Sequence, residues 1–121
     1  MKIPDANHPI SIEDSPVRVK VTAGGKTVAD SRDALVLREA NYKPVYYIPR
    51  KDVEMALLEK TSHSTHCPYK GDASYFTIDA GDHKSENAIW SYEDPYPSVA
   101  AIKDHVAFYP NRVDRIEELA S

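Results

Sequence analysis

The sequence predicts a mainly β, antiparallel domain: a meander of about four strands, one short helix after the fourth, a two-stranded hairpin and a closing strand. Three observations carry this expectation. Val17, Val19 and Val21 alternate with Arg18, Lys20 and Thr22, the period of two that a strand with one wet face requires. Ala23-Gly24-Gly25-Lys26 follows at once and supplies the positive-φ positions of a tight hairpin turn. Pro49 and Pro110 each stop a β-branched and aromatic run, because proline has no N–H to give a ladder.

The elements follow in order. Residues 1–16 read as an N-terminal arm or edge segment, in which Ile10 and Ile12 alternate with polar neighbours. Val17–Thr22 and Thr27–Asp30 form the first hairpin, Ser31-Arg32-Asp33 turns the chain, and Ala34–Glu39 and Val45–Ile48 are the third and fourth strands. Val53, Ala56 and Leu57 fall at i, i+3 and i+4, so a helix of about two turns is expected over Val53–Lys60, with Asp52 as its N-cap. Thr61–Gly71 then reads as a polar loop into a fifth strand, Ala73–Ile78, which pairs with a sixth, Asn87–Tyr92. Pro95-Tyr96-Pro97 forces a corner, Ser98 caps a short helical turn, and Val106–Tyr109 closes the β domain of residues 17–110. In the tail, residues 111–121, Val113, Ile116 and Leu119 keep helical spacing, and the segment either packs on the domain or trails from it.

Composition narrows the function classes. A chain of 121 residues, 41% hydrophobic, can bury one modest core without disulfides or a structural metal. Net charge −4, with 15 scattered Lys and Arg, lacks the basic excess that binding to a phosphate backbone requires, so nucleic acid is not an expected partner. One cysteine cannot form an internal disulfide and the N-terminus has no apolar run of signal or spanning length, so the expectation is a cytosolic protein off the membrane. The oligomeric state is not encoded in any pattern of the chain.

The most constrained stretch is Thr65-His66-Cys67-Pro68-Tyr69-Lys70-Gly71-Asp72-Ala73-Ser74-Tyr75, which sets the lone cysteine three residues before a lysine. Together with Pro44-Val45-Tyr46-Tyr47-Ile48-Pro49-Arg50, Asp52-Val53, Ala88-Ile89-Trp90, Tyr92, Pro95 and Phe108-Tyr109, it resembles family 427 of the domains of unknown function, over roughly Val17 to Tyr109. That family also carries a nucleotidyltransferase-like label. The resemblance implies a β-tent fold, two sheets leaning together over a ligand pocket, and no established reaction. The residues do not support the label: the Gly-Ser pair and Asp-x-Asp that set Mg²⁺ against phosphates are missing, and Tyr69-Lys70-Gly71-Asp72 lacks the glycine spacing and following Ser/Thr of a phosphate-binding loop.

Four segments converge on one expected pocket, lined by Glu39, Tyr47, Arg50, Cys67, Lys70, Tyr75, Trp90 and Tyr92. Two readings of Cys67 stand, a small packed hydrophobe or a thiolate favoured by Lys70 and His66. In the catalytic version Cys67 is the nucleophile, Lys70 its electrostatic or acid–base partner, and Glu39 or Tyr47 the second proton carrier. Lys70 and Arg50 both sit at strand ends, where two cations suit a small anionic or polar ligand, and Lys70 can meet Glu39. Tyr47, Arg50, Tyr75, Trp90 and Tyr92 are the expected ligand-binding set, with Trp90 and Tyr92 on one side of a strand. The alternative is a non-catalytic interaction module that uses a Trp/Tyr cage to hold a partner or ligand group. His63, His66 and Cys67 are too few for zinc and His8, His83 and His105 lack ligand spacing, so neither metal nor cofactor is expected.

Overall fold

In the computed structural model, which describes residues 1–120, the strands form two antiparallel sheets, and the described residues hold only short 3₁₀ segments beside them. The larger sheet orders β1 (Ile10–Asp14), β4 (Leu35–Glu39), β5 (Val45–Pro49), β9 (His105–Phe108), β8 (Lys84–Ser91), β7 (Gly71–Asp79) and β6 (Leu58–Cys67). The smaller one orders β10 (Arg115–Leu119), β2 (Arg18–Ala23) and β3 (Lys26–Ser31). The β2–β3 hairpin turns on Gly24 and Gly25, with φ of 58° and 76°, which only glycine adopts without strain.

The expected mainly β, two-sheet antiparallel fold is therefore found, with differences of detail. The first four strands are not one meander, because the chain changes sheets between β3 and β4. No α-helix follows β5. Ala29 bridges to Val53 and the Glu54 N–H donates to the Val28 carbonyl, so strand β3 takes the backbone groups that a helix would have used internally. Asp52 accepts from Ser31 Oγ at 2.6 Å and makes no cap bond. Only a 3₁₀ turn, Met55–Leu57, remains of the helical spacing, and Leu58–Lys60 already pairs with Phe76–Ile78 of β7. The expected polar loop is in fact strand β6, whose edge position leaves both faces wet from Ser62 to His66 and so erases the apolar alternation that marks a strand. Arg115–Leu119 is likewise a strand, with Ile116 opposite Val21, rather than a helical turn.

Strand alternation sorts the apolar side chains of the larger sheet onto two faces. Ile48, Phe76, Ile78, Ile89, Val106 and Phe108 face the smaller sheet and pack on Val19, Val21 and Val28. Leu37, Tyr47, Ala73, Tyr75 and Ala107 face the other way, against Val99 and Ile102 of the Pro97–Ile102 3₁₀ segment. This second face carries the site.

The sheet also curls. β4 and β7 are four strand spacings apart, which in a flat sheet is roughly 19 Å. Yet Lys70, in the β6–β7 turn, reaches Glu39 at the end of β4 with an Nζ–Oε1 distance of 2.5 Å. A lysine side chain spans about a third of the flat distance, so the sheet must bend the β6–β7 turn over its second face.

Candidate functional site

A cavity of about 280 Å³ opens on this face. Strand parity explains its walls: Leu37 and Glu39 of β4, Val45 and Tyr47 of β5, Tyr75 of β7, Trp90 of β8 and Tyr109 after β9 all point to one side. Tyr92, just past β8, Lys70 from the β6–β7 turn, and Tyr42 and Lys43 from the β4–β5 loop complete it.

Its charged end is built by Lys70, Glu39 and His8. Cys67 pairs with Gly71 across a three-residue turn that holds Lys70, and Gly71 at φ 109° lets residues 94–96 pack against it, with the Tyr96 N–H donating to the Lys70 carbonyl. The ammonium and the Glu39 carboxylate are nearly buried, with side chains 10% and 12% exposed. The second carboxylate oxygen lies 2.7 Å from His8 Nε2. His8 is fixed in turn by a tight turn on Asp5, whose carboxylate accepts from the Asn7 and His8 N–H groups, and by stacking on Tyr69 at 4.1 Å. Burial pushes the Glu39 carboxyl up, but the hydrogen bonds from Lys70 and His8 outweigh it and hold the group below the ordinary carboxylate value. The carboxylate stays ionised at neutral pH. Lys70 Nζ also lies 6.0 Å from the Tyr92 ring centre.

The opposite wall is aromatic. Trp90 Nε1 donates to Tyr47 Oη at 3.2 Å, and its indole lies 4.5 Å from the Tyr109 ring. Tyr75 Oη bonds Thr65 Oγ1 at 2.9 Å and approaches Tyr109 Oη at 3.4 Å. Burial drives the Tyr47 and Tyr92 hydroxyls far above their usual value, and burial together with the Tyr75 hydroxyl pushes Tyr109 up to about 12. These phenols are therefore neutral hydrogen-bonding groups near neutral pH.

Six of the eight residues named from the sequence thus line one cavity: Glu39, Tyr47, Lys70, Tyr75, Trp90 and Tyr92. Cys67 is not among the lining residues; its Sγ lies 3.8 Å from Lys70 Nζ and packs against the cluster that holds Tyr47 and Tyr92. Arg50 lies apart, on the other face of β8's end: its guanidinium covers the Phe76 ring and donates to Ser91 Oγ at 3.3 Å and Glu93 Oε2 at 3.1 Å. Lys60 joins that cluster, and its hydrogen bond, with the one from Arg50, holds the Glu93 carboxyl down to about 2. Sequence reasoning left out Tyr109, which the parity of the closing strand marks, and His8, for which no local signal exists because its partner lies 31 residues away. Among the described residues no group of three or more His, Cys, Asp and Glu side chains is placed to hold a metal, and no helix is long and apolar enough to cross a membrane.

No curated protein matches this chain. The match that is found covers residues 11–119 and so reaches from β1 into β10, and the chain belongs to the family described as Domain of unknown function (DUF427).

Proposed function

We propose that the domain binds a small polar or anionic molecule in the aromatic cavity, with Glu39 and Lys70 at one end and the Tyr75 and Tyr109 hydroxyls at the other. The observation that carries this is the ion pair itself. A nearly buried Lys–Glu pair costs desolvation that an apolar pair of the same volume would avoid, so its placement in a cavity wall has a use beyond packing. A cavity of about 280 Å³ sits at the low end of ligand pockets, which suits a molecule of one ring or a few polar groups stacked on Trp90 and Tyr109. The lone free thiol and the charge balance fit a cytoplasmic domain acting on a metabolite rather than on nucleic acid. A thermal-shift screen of metabolites, read together with Trp90 emission, tests the reading. A ligand that raises the midpoint and loses its effect in Tyr75→Phe, at a residue lining this cavity alone, supports it, and a screen of polar metabolites and peptides that moves neither signal removes it.

The 3.8 Å approach of Lys70 Nζ to Cys67 Sγ favours a second reading, in which the ammonium stabilises a Cys67 thiolate for nucleophilic chemistry. Two features weigh toward binding alone. Cys67 is not among the residues that line the cavity, and the two groups expected to carry the second proton are fixed in one state near neutral pH, Tyr47 neutral and Glu39 ionised. Thiol-labelling rates across pH in the natural chain and in Lys70→Met decide it, since an unchanged profile typical of a free thiol in both removes the nucleophile.

A further inference from the structure

The larger sheet is interrupted beside Trp90. β5 and β9 pair at Ile48↔Val106 and Pro49↔His105, and the ladder stops there, so Tyr46 and Phe108, which would be its next hydrogen-bonded rung, do not pair. On the side of this gap that faces the smaller sheet lies a second cavity of about 500 Å³. Its walls are apolar: Val19 and Val21 from β2, Ile48 from β5, Phe108 from β9 and Ile116 from β10. The inner wall is closed to water, with Val19 and Val21 fully buried, while Lys43, Pro110 and Glu118 at the mouth are exposed.

The two sheets are not held alike at their two edges. Along β3 they are tied by the Ala29↔Val53 bridge and the Glu54 N–H bond to the Val28 carbonyl. At the other edge β10 pairs with β2 alone, and it meets β5 through side chains, including Glu118 against the Tyr46 hydroxyl. A slim apolar body can therefore enter by parting side chains without breaking a ladder. The mouth has two charges in unequal situations: Glu118 faces the Tyr46 hydroxyl, whereas Lys43 has no carboxylate in ion-pair range among the described residues.

We propose that this inter-sheet cavity is a second ligand site, taking an unbranched aliphatic carboxylate whose chain lies along Val45, Trp90, Pro110 and Ile116, over the buried floor of Val19, Val21, Ile48 and Phe108, and whose head meets Lys43. An apolar wall with a cation at its mouth that is unpaired among the described residues complements an acid of this shape, and an apolar lining gives a polar body no partner. Trp90, Val45 and Lys43 line both this cavity and the aromatic one, so Trp90 emission reports an occupant of either and a variant that lines one cavity alone is needed to tell them apart.

The test titrates the full chain with acetate, butanoate, hexanoate and octanoate, and with octanol as the neutral comparator, following Trp90 emission and the thermal midpoint. The affinity of the acids is expected to rise about fourfold per added methylene, the equivalent of about 0.8 kcal/mol for one buried CH₂. Octanoate should bind more tightly than octanol. Lys43→Met, an exposed change that leaves the fold alone, should abolish that preference, and Glu118→Gln should enlarge it by removing the like charge. Ile116→Phe, at a residue lining this cavity only, should weaken octanoate several-fold. Affinity that is flat with chain length, or no midpoint shift with octanoate, overturns the second site and leaves the reading of the aromatic cavity untouched. Chain-length dependence that ignores Ile116→Phe overturns it equally, whatever Lys43→Met does, since Lys43 borders both cavities and the acid then sits elsewhere.

Discussion

Replacing Lys70 by methionine keeps most of the side-chain volume and removes only the ammonium. Glu39 then faces the same burial without the hydrogen bond that holds it ionised most strongly. Removing one partner of a buried pair costs about 3–5 kcal/mol when the survivor has nothing else. Here His8 remains 2.7 Å from the second oxygen and the carboxylate keeps 12% exposure, so the expected loss is smaller, about 2–3 kcal/mol at neutral pH. The pH dependence fixes the cause. In the natural protein Glu39 is depressed, so its contribution to stability is present above the ordinary carboxylate pKa and is lost as pH falls through the lower folded value. In Lys70→Met burial dominates and the pKa rises, so the folded state gains by protonation and the gap between the two proteins should narrow as pH falls toward about 4. Urea denaturation at about pH 7 and about pH 4 measures both points. A loss within about 0.5 kcal/mol at neutral pH, the scatter of ordinary surface changes, would refute the argument and reduce Lys70 to a solvated charge.

His8→Phe should keep the stack on Tyr69 while raising the Glu39 pKa, seen by carboxyl titration in NMR, with a cost of about 1 kcal/mol; an unmoved Glu39 would mean that the arm does not act on the pair. Gly71→Ala should cost about 1–2 kcal/mol from its φ of 109° alone, because the nearest atom to the new Cβ, Asp94 O at 3.5 Å, is in ordinary contact; a neutral change in chemical denaturation would show that the turn can relax. Trp90→Phe leaves the buried Tyr47 hydroxyl without its donor and should lower stability by about 1–3 kcal/mol, whereas Trp90→Phe with Tyr47→Phe should recover part of the loss; an additive double variant would deny the bond a role. Glu93 is held down to about 2 by Lys60 first and also by Arg50, so its contribution survives mild acid and is lost only as pH falls through that value; because the group is about a third exposed, Lys60→Met should have a small effect, fading in high salt.

The strands that could be read from the sequence are those with at least one apolar face. Val17–Thr22 alternates because the core lies on one side of it, Asn87–Tyr92 shows instead the apolar and aromatic run of a central strand packed on both faces, and the β2–β3 turn names itself through two glycines. Segments 53–60 and 61–67 were illegible for opposite reasons. The first has real helical spacing, which loses to backbone partners on β3 and β7 far off in sequence, and the second has no apolar face at all because it forms an edge. In the site, the aromatic wall was legible, since Tyr47, Tyr75, Trp90 and Tyr92 need only strand parity to share a side. Arg50 shows the limit of the method. It follows Ile48 and Pro49 at a strand end much as Lys70 precedes a strand, but the guanidinium turns to Ser91 and Glu93 on the far side, and no local pattern encodes that choice.

The charged end of the cavity differs in kind from its aromatic wall. Tyr75, Trp90 and Tyr47 share a side by the local geometry of their strands, so they would face one way even in a flattened sheet. Lys70 meets Glu39 only because the sheet bends by the distance of four strands, and His8 reaches the same carboxylate from outside the sheet altogether. The Lys2 N–H bond to the Pro68 carbonyl and the stack of His8 on Tyr69 tie the same arm to the same turn. Curvature, arm and ion pair are thus three expressions of one closed arrangement, and each stabilises the others. A ligand held between the pair and the phenols would bridge β4, the β6–β7 turn and β8 at once. Its binding energy would therefore appear as resistance of the curled sheet to opening, which makes hydrogen exchange at β6 and at residues 1–9, rather than in the β2–β3 hairpin, the place where occupancy of the cavity should register first.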